Sequence, residues 1–220
     1  MKFIKPYYEI RTDLTRVAEM LMSIEDAGRT CYKSEDKITP DSAPGFIKGI
    51  ISRGHESVIE HEYLSVRLIV DRGVSHELVR HRLCSFSQES TRYCNYSKDK
   101  FGNELTFIMP EWVPYTEEQL KDLIDEHHYE DDPPIVWGMA MMQAEVYYLT
   151  LLQLGWSPQQ ARSVLPNSLK TEIVMTANFR EWREIFRQRT APGAHPQMRE
   201  LMVPLLAELK EKIPIIFDDI

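Results

Sequence analysis

Between Tyr63 and Val70 the chain alternates well, with Leu64, Val66, Leu68 and Val70 set against Ser65 and Arg67. A period of two suits a strand with one buried and one wet face. Few other segments share it. Leu105–Met109, ended by Pro110, and Thr171–Ala177 are strand candidates, and Lys2–Ile4 adds a short one. Elsewhere apolar residues recur at spacings of three and four, the helical pattern. Leu14, Val17, Ala18, Leu21 and Met22 predict a helix over Asp13–Ile24, capped by Asp13. Phe46, Ile47, Ile50 and Ile51 predict another over Ser42–Ser52, stopped by Gly54. Cys31–Pro40, between them, is polar and reads as a loop.

Further helices are predicted over Val74–Leu83, over an exposed acidic Thr116–His127, and over Ile135–Leu154. The last is the longest, with Trp137, Met141, Ala144, Tyr148 and Leu151 in one stripe. Ser157 followed by Pro158 starts a short helix through Val164, and Phe179–Gln188 and Met198–Lys212 complete the set. No repeat and no linker interrupts them. Glu126–Asp132, ahead of Pro133–Pro134, reads as a hairpin turn or an insertion. The expectation is one α+β domain over residues 1–220. A small, mostly antiparallel sheet is flanked by several helices, one of them long.

The 220 residues suffice for one sizeable core or two small ones. A net charge of −8 argues against a global grip on nucleic acid, so anion binding must come from local clusters. Cys31, Cys84 and Cys94 are odd in number and form no CxxC pair, which suggests reduced thiols and a cytoplasmic protein. The N-terminal MKFIKPYYEIRTDLTR lacks the apolar core of a signal peptide. Nowhere do about 18 apolar residues run together, so no membrane span is expected.

Most cations sit beside acids, as on any solvated surface. Two islands differ, and both use arginine without lysine. Arg72, Arg80, Arg82 and Arg92 make the first; Arg180, Arg183, Arg187 and Arg189 make the second. Arginine suits bidentate contact with phosphate or a planar carbonyl edge. In the first island Arg80-His81-Arg82 would fan around a helix end, with His76 one turn before Arg80. An alternating-charge surface helix is the plain alternative. The hydroxyls of Ser85, Ser87, Ser90, Thr91 and Ser97 that follow suit phosphate and sugar, and equally suit turns. In the second island Arg180, Arg183, Glu184 and Arg187 share one helical face. Arg189 emerges opposite, among Trp182, Ile185 and Phe186, where its guanidinium must find an anionic or carbonyl partner.

Other signals are weaker. In Gly54–His61 the two histidines are too far apart for HExxH, and no metal site is expected. GxGxxG, P-loop and GxSxG patterns are absent. Neither Cys84 nor Cys94 has the context of a catalytic thiol. His127–His128 reads as surface.

Arg80-His81-Arg82, seven residues, then Ser90 and Arg92-Tyr93 resemble the RHR-x7-S signature of flavin-dependent thymidylate synthases. Gly54-His55-Glu56-Ser57 with Glu60-His61 is similar to a second segment of that family. Ala161-Arg162-x-x-Leu165-Pro166, Asn178-x-Arg180, Arg189 and His195-x-Gln197 follow in the family's order. The resemblance implies reductive methylation of dUMP to dTMP, with FAD as cofactor, methylenetetrahydrofolate as carbon donor and NADPH as reductant. It implies a homotetramer whose sites are shared between subunits. Carried over by position, His55 would lie near the flavin ring. Ser57, Arg80, His81, Arg82, Gln88, Asn178, Arg180 and Glu184 would hold FAD. Glu77, Arg80, Gln88, Glu89, Ser90, Thr91, Arg92, Arg162 and Arg189 would hold dUMP. Arg189 would activate the uracil ring. Ser90 matches a serine once proposed as nucleophile; with no adjacent base, a positioning role suits it better. Non-catalytic nucleotide or RNA binding by the same arginines is the competing reading. Ser87-Gln88 replaces a common Asn-Glu, turning a carboxylate contact into an amide contact. Glu184 stands where an Asn often contacts flavin.

Overall fold

The computed structural model describes residues 1–126 and 132–220. In chain order the strands and α-helices are β1 (Lys2–Ile4), β2 (Tyr7–Ile10), α1 (Val17–Tyr32), α2 (Ser42–Ser52), β3 (Tyr63–Asp71), α3 (Arg72–Leu78), β4 (Ser85–Gln88), β5 (Thr106–Ile108), α4 (Glu117–Asp125), α5 (Pro133–Gln153), α6 (Pro158–Ala161), β6 (Lys170–Asn178), α7 (Phe179–Arg189), α8 (Pro196–Lys212) and α9 (Pro214–Phe217). The expected α+β class, rich in helix, is what the chain forms. A four-stranded sheet has the order β2-β3-β6-β4, and β1 pairs with β5. That second pair is parallel, with Phe3 opposite Phe107. The turn expected over Glu126–Asp132, and His127–His128 within it, falls largely outside the described residues.

Two compact units emerge, each assembled from three stretches of sequence, so no linker marks the division. The first comprises Met1–Tyr7, Ile69–Leu78 and Ser87–Ile173; the second comprises Tyr8–Leu68, Val79–Phe86 and Val174–Ile220. The core of the first unit gathers Phe3, Leu105, Phe107 and Met109 with Leu120, Ile124, Met141 and Tyr148. Helix α4 begins at a capping box on Thr116 and is less exposed than expected, because Leu120 and Ile124 are buried. By length and composition α5 could cross a membrane, contrary to the sequence expectation. Part of that apolar surface packs inside the first unit. Tyr148 is fully buried, and the Glu145 carboxylate accepts a hydrogen bond from the Leu105 amide at 2.7 Å.

In the second unit α1 runs eight residues past its expected end, to Tyr32, where Lys33 takes a left-handed conformation. Gly28 explains the close packing of α1 on α2: a Cβ there would stand 2.5 Å from the Phe46 ring. The Glu25 carboxylate is buried and accepts from Arg29 on α1 and from the Ser42 hydroxyl at the start of α2 at 2.6 Å. Helix α2 has the expected bounds. It closes with a Schellman pair, Gly54 N–H to the Ile51 carbonyl and His55 N–H to the Ile50 carbonyl, both 2.9 Å. Gly54 sits at φ 73° to allow this. Trp182, Phe186, Phe179 and Phe217 are fully buried; Trp182 stacks on Phe186, and Phe217 meets Phe179 and Phe186 edge-on.

Candidate functional site

The Arg80-His81-Arg82 run does not lie on a helix, which corrects the sequence reading. Helix α3 starts earlier than expected, at Arg72, and ends at Leu78. The buried Asp71 caps it, its Oδ1 accepting from Val74 N–H at 2.7 Å. After Leu78 the chain turns. His81 is buried, at 6% exposure, and its Nε2 accepts from Arg189 Nε at 2.9 Å. Helix propensity differs among these residues by only tenths of a kcal/mol, so this tertiary contact decides the local conformation. Arg80 and Arg82 remain exposed on either side. Residues 85–88, in the hydroxyl-rich stretch to which the sequence gave no element, form β4.

The first unit holds a cleft of about 480 Å³ lined by Arg72, His76, Thr91, Arg162, Ser163 and Asn167, among others, with no carboxylate in its lining. Arg162 Nη1 donates to the Thr91 hydroxyl at 3.4 Å. Arg72 Nη1 is buried and has no hydrogen-bond partner among the described residues. A buried guanidinium nitrogen left in that state costs free energy unless an acceptor arrives. The sequence placed Arg72 in the first island but gave it no role; its signal was adjacency to the capping Asp71. Beside this cleft, Ser90 Oγ accepts from Arg92 N–H at 3.3 Å, and its carbonyl accepts from the Tyr93 and Cys94 amides. Ser90 thus organises a turn. The Gln88 amide donates to Ser75 Oγ at 2.9 Å and to Thr171 Oγ1 at 3.2 Å. The Glu89 carboxylate binds the Tyr96 hydroxyl at 2.8 Å and Lys170 at 3.0 Å. Those partners line a different cleft of the first unit, which Glu89 also lines. Glu77 is half-buried on α3, and Arg92 is exposed, its guanidinium over the Tyr93 ring.

A second cleft, of about 430 Å³, lies wholly in the second unit. Glu56, Glu60, Asn178, Arg180, Glu184 and Arg187 line it, with Leu83 and Glu181. Here β6 runs straight into α7, and the Asn178 side chain caps the helix by accepting from Glu181 N–H at 2.8 Å. A 3-10 turn, Glu56–His61, packs on α7. Arg180 pairs with Glu60 at 2.5 Å, and Arg187 reaches Glu56 at 3.3 Å. Glu184 is exposed and accepts from Gln188 at 2.6 Å. Ser57 and His55 are exposed at the turn, and His55 Nδ1 lies 3.3 Å from the Tyr32 hydroxyl.

Arg183 departs from the helical wheel. The sequence placed it on the polar face with Arg180 and Arg187, yet it is fully buried. Glu56 and the segment after α9 cover that face and supply its partners. Arg189 does find a partner on the core side, the His81 imidazole, a neutral acceptor that the sequence argument did not name. Burial, then the Arg189 cation, push the His81 pKa below its ordinary value, while Glu184 opposes. A neutral imidazole accepting at Nε2 carries its proton on Nδ1, which faces Glu181 at 3.8 Å. Burial, then Glu181, push the Cys84 thiol up to about 12. Burial, then Glu89, also raise Cys94. Neither is a thiolate at neutral pH.

The family model described as Thy1, thymidylate synthase complementing protein, matches residues 14–215. The flavin-dependent thymidylate synthase of Corynebacterium aurimucosum is 34% identical over 203 residues, covering 89% of this chain and 78% of that one. That of Geobacter sulfurreducens is 32% identical over 200 residues, covering 88% and 78%. Among solved structures, thymidylate synthase X from Helicobacter pylori with FAD and dUMP superposes with a TM-score of 0.70 at 23% identity, over 97% of this chain and 98% of that one. The likeness to the solved structure is one of fold; the family match and the sequence identities carry the assignment. The chain belongs to the Thy1 family, the flavin-dependent thymidylate synthases.

Proposed function

We propose that residues 1–220 work as a single synthase domain that methylates dUMP reductively to dTMP. FAD is the cofactor, methylenetetrahydrofolate the carbon donor and NADPH the reductant. The observation that carries the site assignment is the buried, unpartnered Arg72 Nη1, which lines the same carboxylate-free cleft as Arg162. In a chain of net charge −8 such a cleft selects an anion, and the phosphate of dUMP has the charge and the acceptors. Thr91 and the Ser90 turn position that phosphate. Competing RNA binding finds no support in a chain this acidic.

The second cleft suits FAD in its donors and acceptors. Arg180 and Arg187 offer guanidinium groups to a pyrophosphate, and Asn178 offers an amide. Glu56, Glu60 and Glu184 can accept from ribose or ribityl hydroxyls. His55, Ser57, Arg80, His81 and Arg82 complete the set. Gln88 is tied to Ser75 and Thr171 and acts by holding β4 in place. Bound FAD supplies the hydride chemistry; the chain's own residues bind, orient and stabilise charge. Arg189 is the cation assigned to the uracil ring, where it stabilises negative charge. The protein is a cytoplasmic homotetramer. Val136, Val146 and Tyr147 on α5 are 52%, 48% and 55% exposed, so this helix is apolar on its solvent side and calls for cover by another chain. One purification tests the reading. The protein should elute as four chains, show flavin absorbance, and form dTMP from dUMP, NADPH and methylenetetrahydrofolate. Colourless protein that gains no flavin from added FAD overturns it.

The His81–Arg189 contact gives the reaction an acidic limit. A His whose folded pKa lies below its ordinary 6.5 favours the neutral form in the fold. The stability it contributes is present above that ordinary value and is lost as pH falls through the folded one. Protonation also turns the Nε2 acceptor into a donor and sets two cations side by side. Turnover should therefore fall at acidic pH with a one-proton dependence. His81→Gln, which accepts without titrating, should flatten that limb in a pH–rate profile. An unchanged limb in the variant would place the titrating group elsewhere.

A further inference from the structure

Arg183 is fully buried in the second unit. Among the described residues its guanidinium meets three partners. Nη1 and Nη2 bind the two oxygens of Asp219 at 2.6 and 2.8 Å. Nη1 also donates to the Ile216 carbonyl. Nη2 donates to Glu56 Oε1 at 3.1 Å. That same Glu56 oxygen receives Arg187 Nη2 at 3.3 Å, and both Glu56 and Arg187 line the second cleft. Burying the Arg183 guanidinium is costly, and pairing it with an Asp219 carboxylate that is 55% exposed offsets that cost only in part. What it does supply is direction. The two-point bond to Asp219 fixes the plane of the guanidinium, and so the line along which Nη2 holds Glu56.

We propose that Asp219 and Arg183 form a clasp that sets the position of Glu56, and through it the entrance of the flavin cleft; both are positioning residues. The inference rests on the reading of that cleft as the FAD site. Besides Arg187 with Glu56, the Glu56–His61 region is held to α7 at its far end by Arg180 with Glu60 and, just beyond it, by Phe179 N–H with the Glu62 carbonyl. The region's far end therefore stays docked when the clasp opens, and the loss is confined to the end that carries Glu56, Ser57 and His55. Lysine at 183 would keep the charge but lose the fork. Hydrogen bonding to Arg183 holds the Asp219 carboxyl below the usual range, so the pair is charged at neutral pH.

The test compares Asp219→Ala, Asp219→Glu, Glu56→Ala and the Asp219→Ala/Glu56→Ala double variant with the unaltered full chain. FAD affinity is measured by flavin fluorescence, dUMP affinity at saturating FAD, and Tm without ligands. Asp219→Ala should weaken FAD about tenfold while dUMP affinity stays within about twofold. Asp219→Glu should recover most of the loss. In the double variant the Asp219 change should add no more than about twofold, because Glu56 no longer reads the clasp. FAD affinity equal to that of the unaltered protein overturns the clasp, as do fully multiplicative effects, or FAD and dUMP affinities falling together with Tm. If the unaltered protein takes up no FAD, the cleft assignment itself falls, a different result from any of these.

Discussion

Arg189→Ala is expected to lower kcat by about 10²- to 10³-fold, the range seen when one charge-stabilising donor is removed, while the purified protein keeps its flavin absorbance. The guanidinium stands at the last residue of α7 and is held through Nε by the His81 imidazole. The imidazole fixes the direction of the guanidinium. In the role proposed for it, the cation favours ionisation at a uracil edge and stabilises the charge that develops during methyl transfer. Arg189→Lys should recover part of the rate: the charge survives, but the planar fork and the His81 contact do not. Spectra of the variants with FAD bound, beside steady-state rates at saturating dUMP, decide the matter. Flavin loss that matches the rate loss would move Arg189 from the reaction to cofactor binding.

How much of this was legible beforehand depended on whether the deciding interaction was local. The bounds of α2 follow from sequence because its stop, Gly54, is a residue whose conformational freedom is visible in its type. The capped starts at Asp13 and Ser157 are local for the same reason. The alternation of β3 survives because one face is buried along its length. The failures share a different cause. Helix α3 stops at Leu78 because His81 is drawn to Arg189, 108 positions away. Arg183 looked solvated because its charge matched its neighbours on the wheel. Its partners, Glu56 and Asp219, lie 127 and 36 positions away, and no periodicity could announce them. The arginine islands were legible as chemistry, whereas their division of labour was not. Arg72 and Arg162 line one cleft, Arg180 and Arg187 another, and Arg183 is a buried tether.

Arg72 is therefore the sharper probe of the proposed phosphate cleft than any residue the signature names. Its Nη1 is buried without a partner among the described residues, a desolvation cost that a bound phosphate would relieve. Arg162, by contrast, is exposed and rests on the Thr91 hydroxyl at 3.4 Å, ready to reorient at little cost. Charge-assisted hydrogen bonds contribute about 1.5–3 kcal/mol each, so Arg72→Ala and Arg162→Ala should each raise the KM for dUMP about 10- to 100-fold, with FAD affinity unchanged. The two differ in the empty state. Arg72→Met removes a buried unpaired nitrogen and keeps the apolar stem, so it should raise the Tm of the ligand-free protein, whereas Arg162→Met should leave it unchanged. Inorganic phosphate should raise the Tm of the unaltered protein and lose that effect in both variants. Should Arg72→Met bind dUMP as tightly as the unaltered chain, the phosphate is held elsewhere, and the 480 Å³ cleft is not its site.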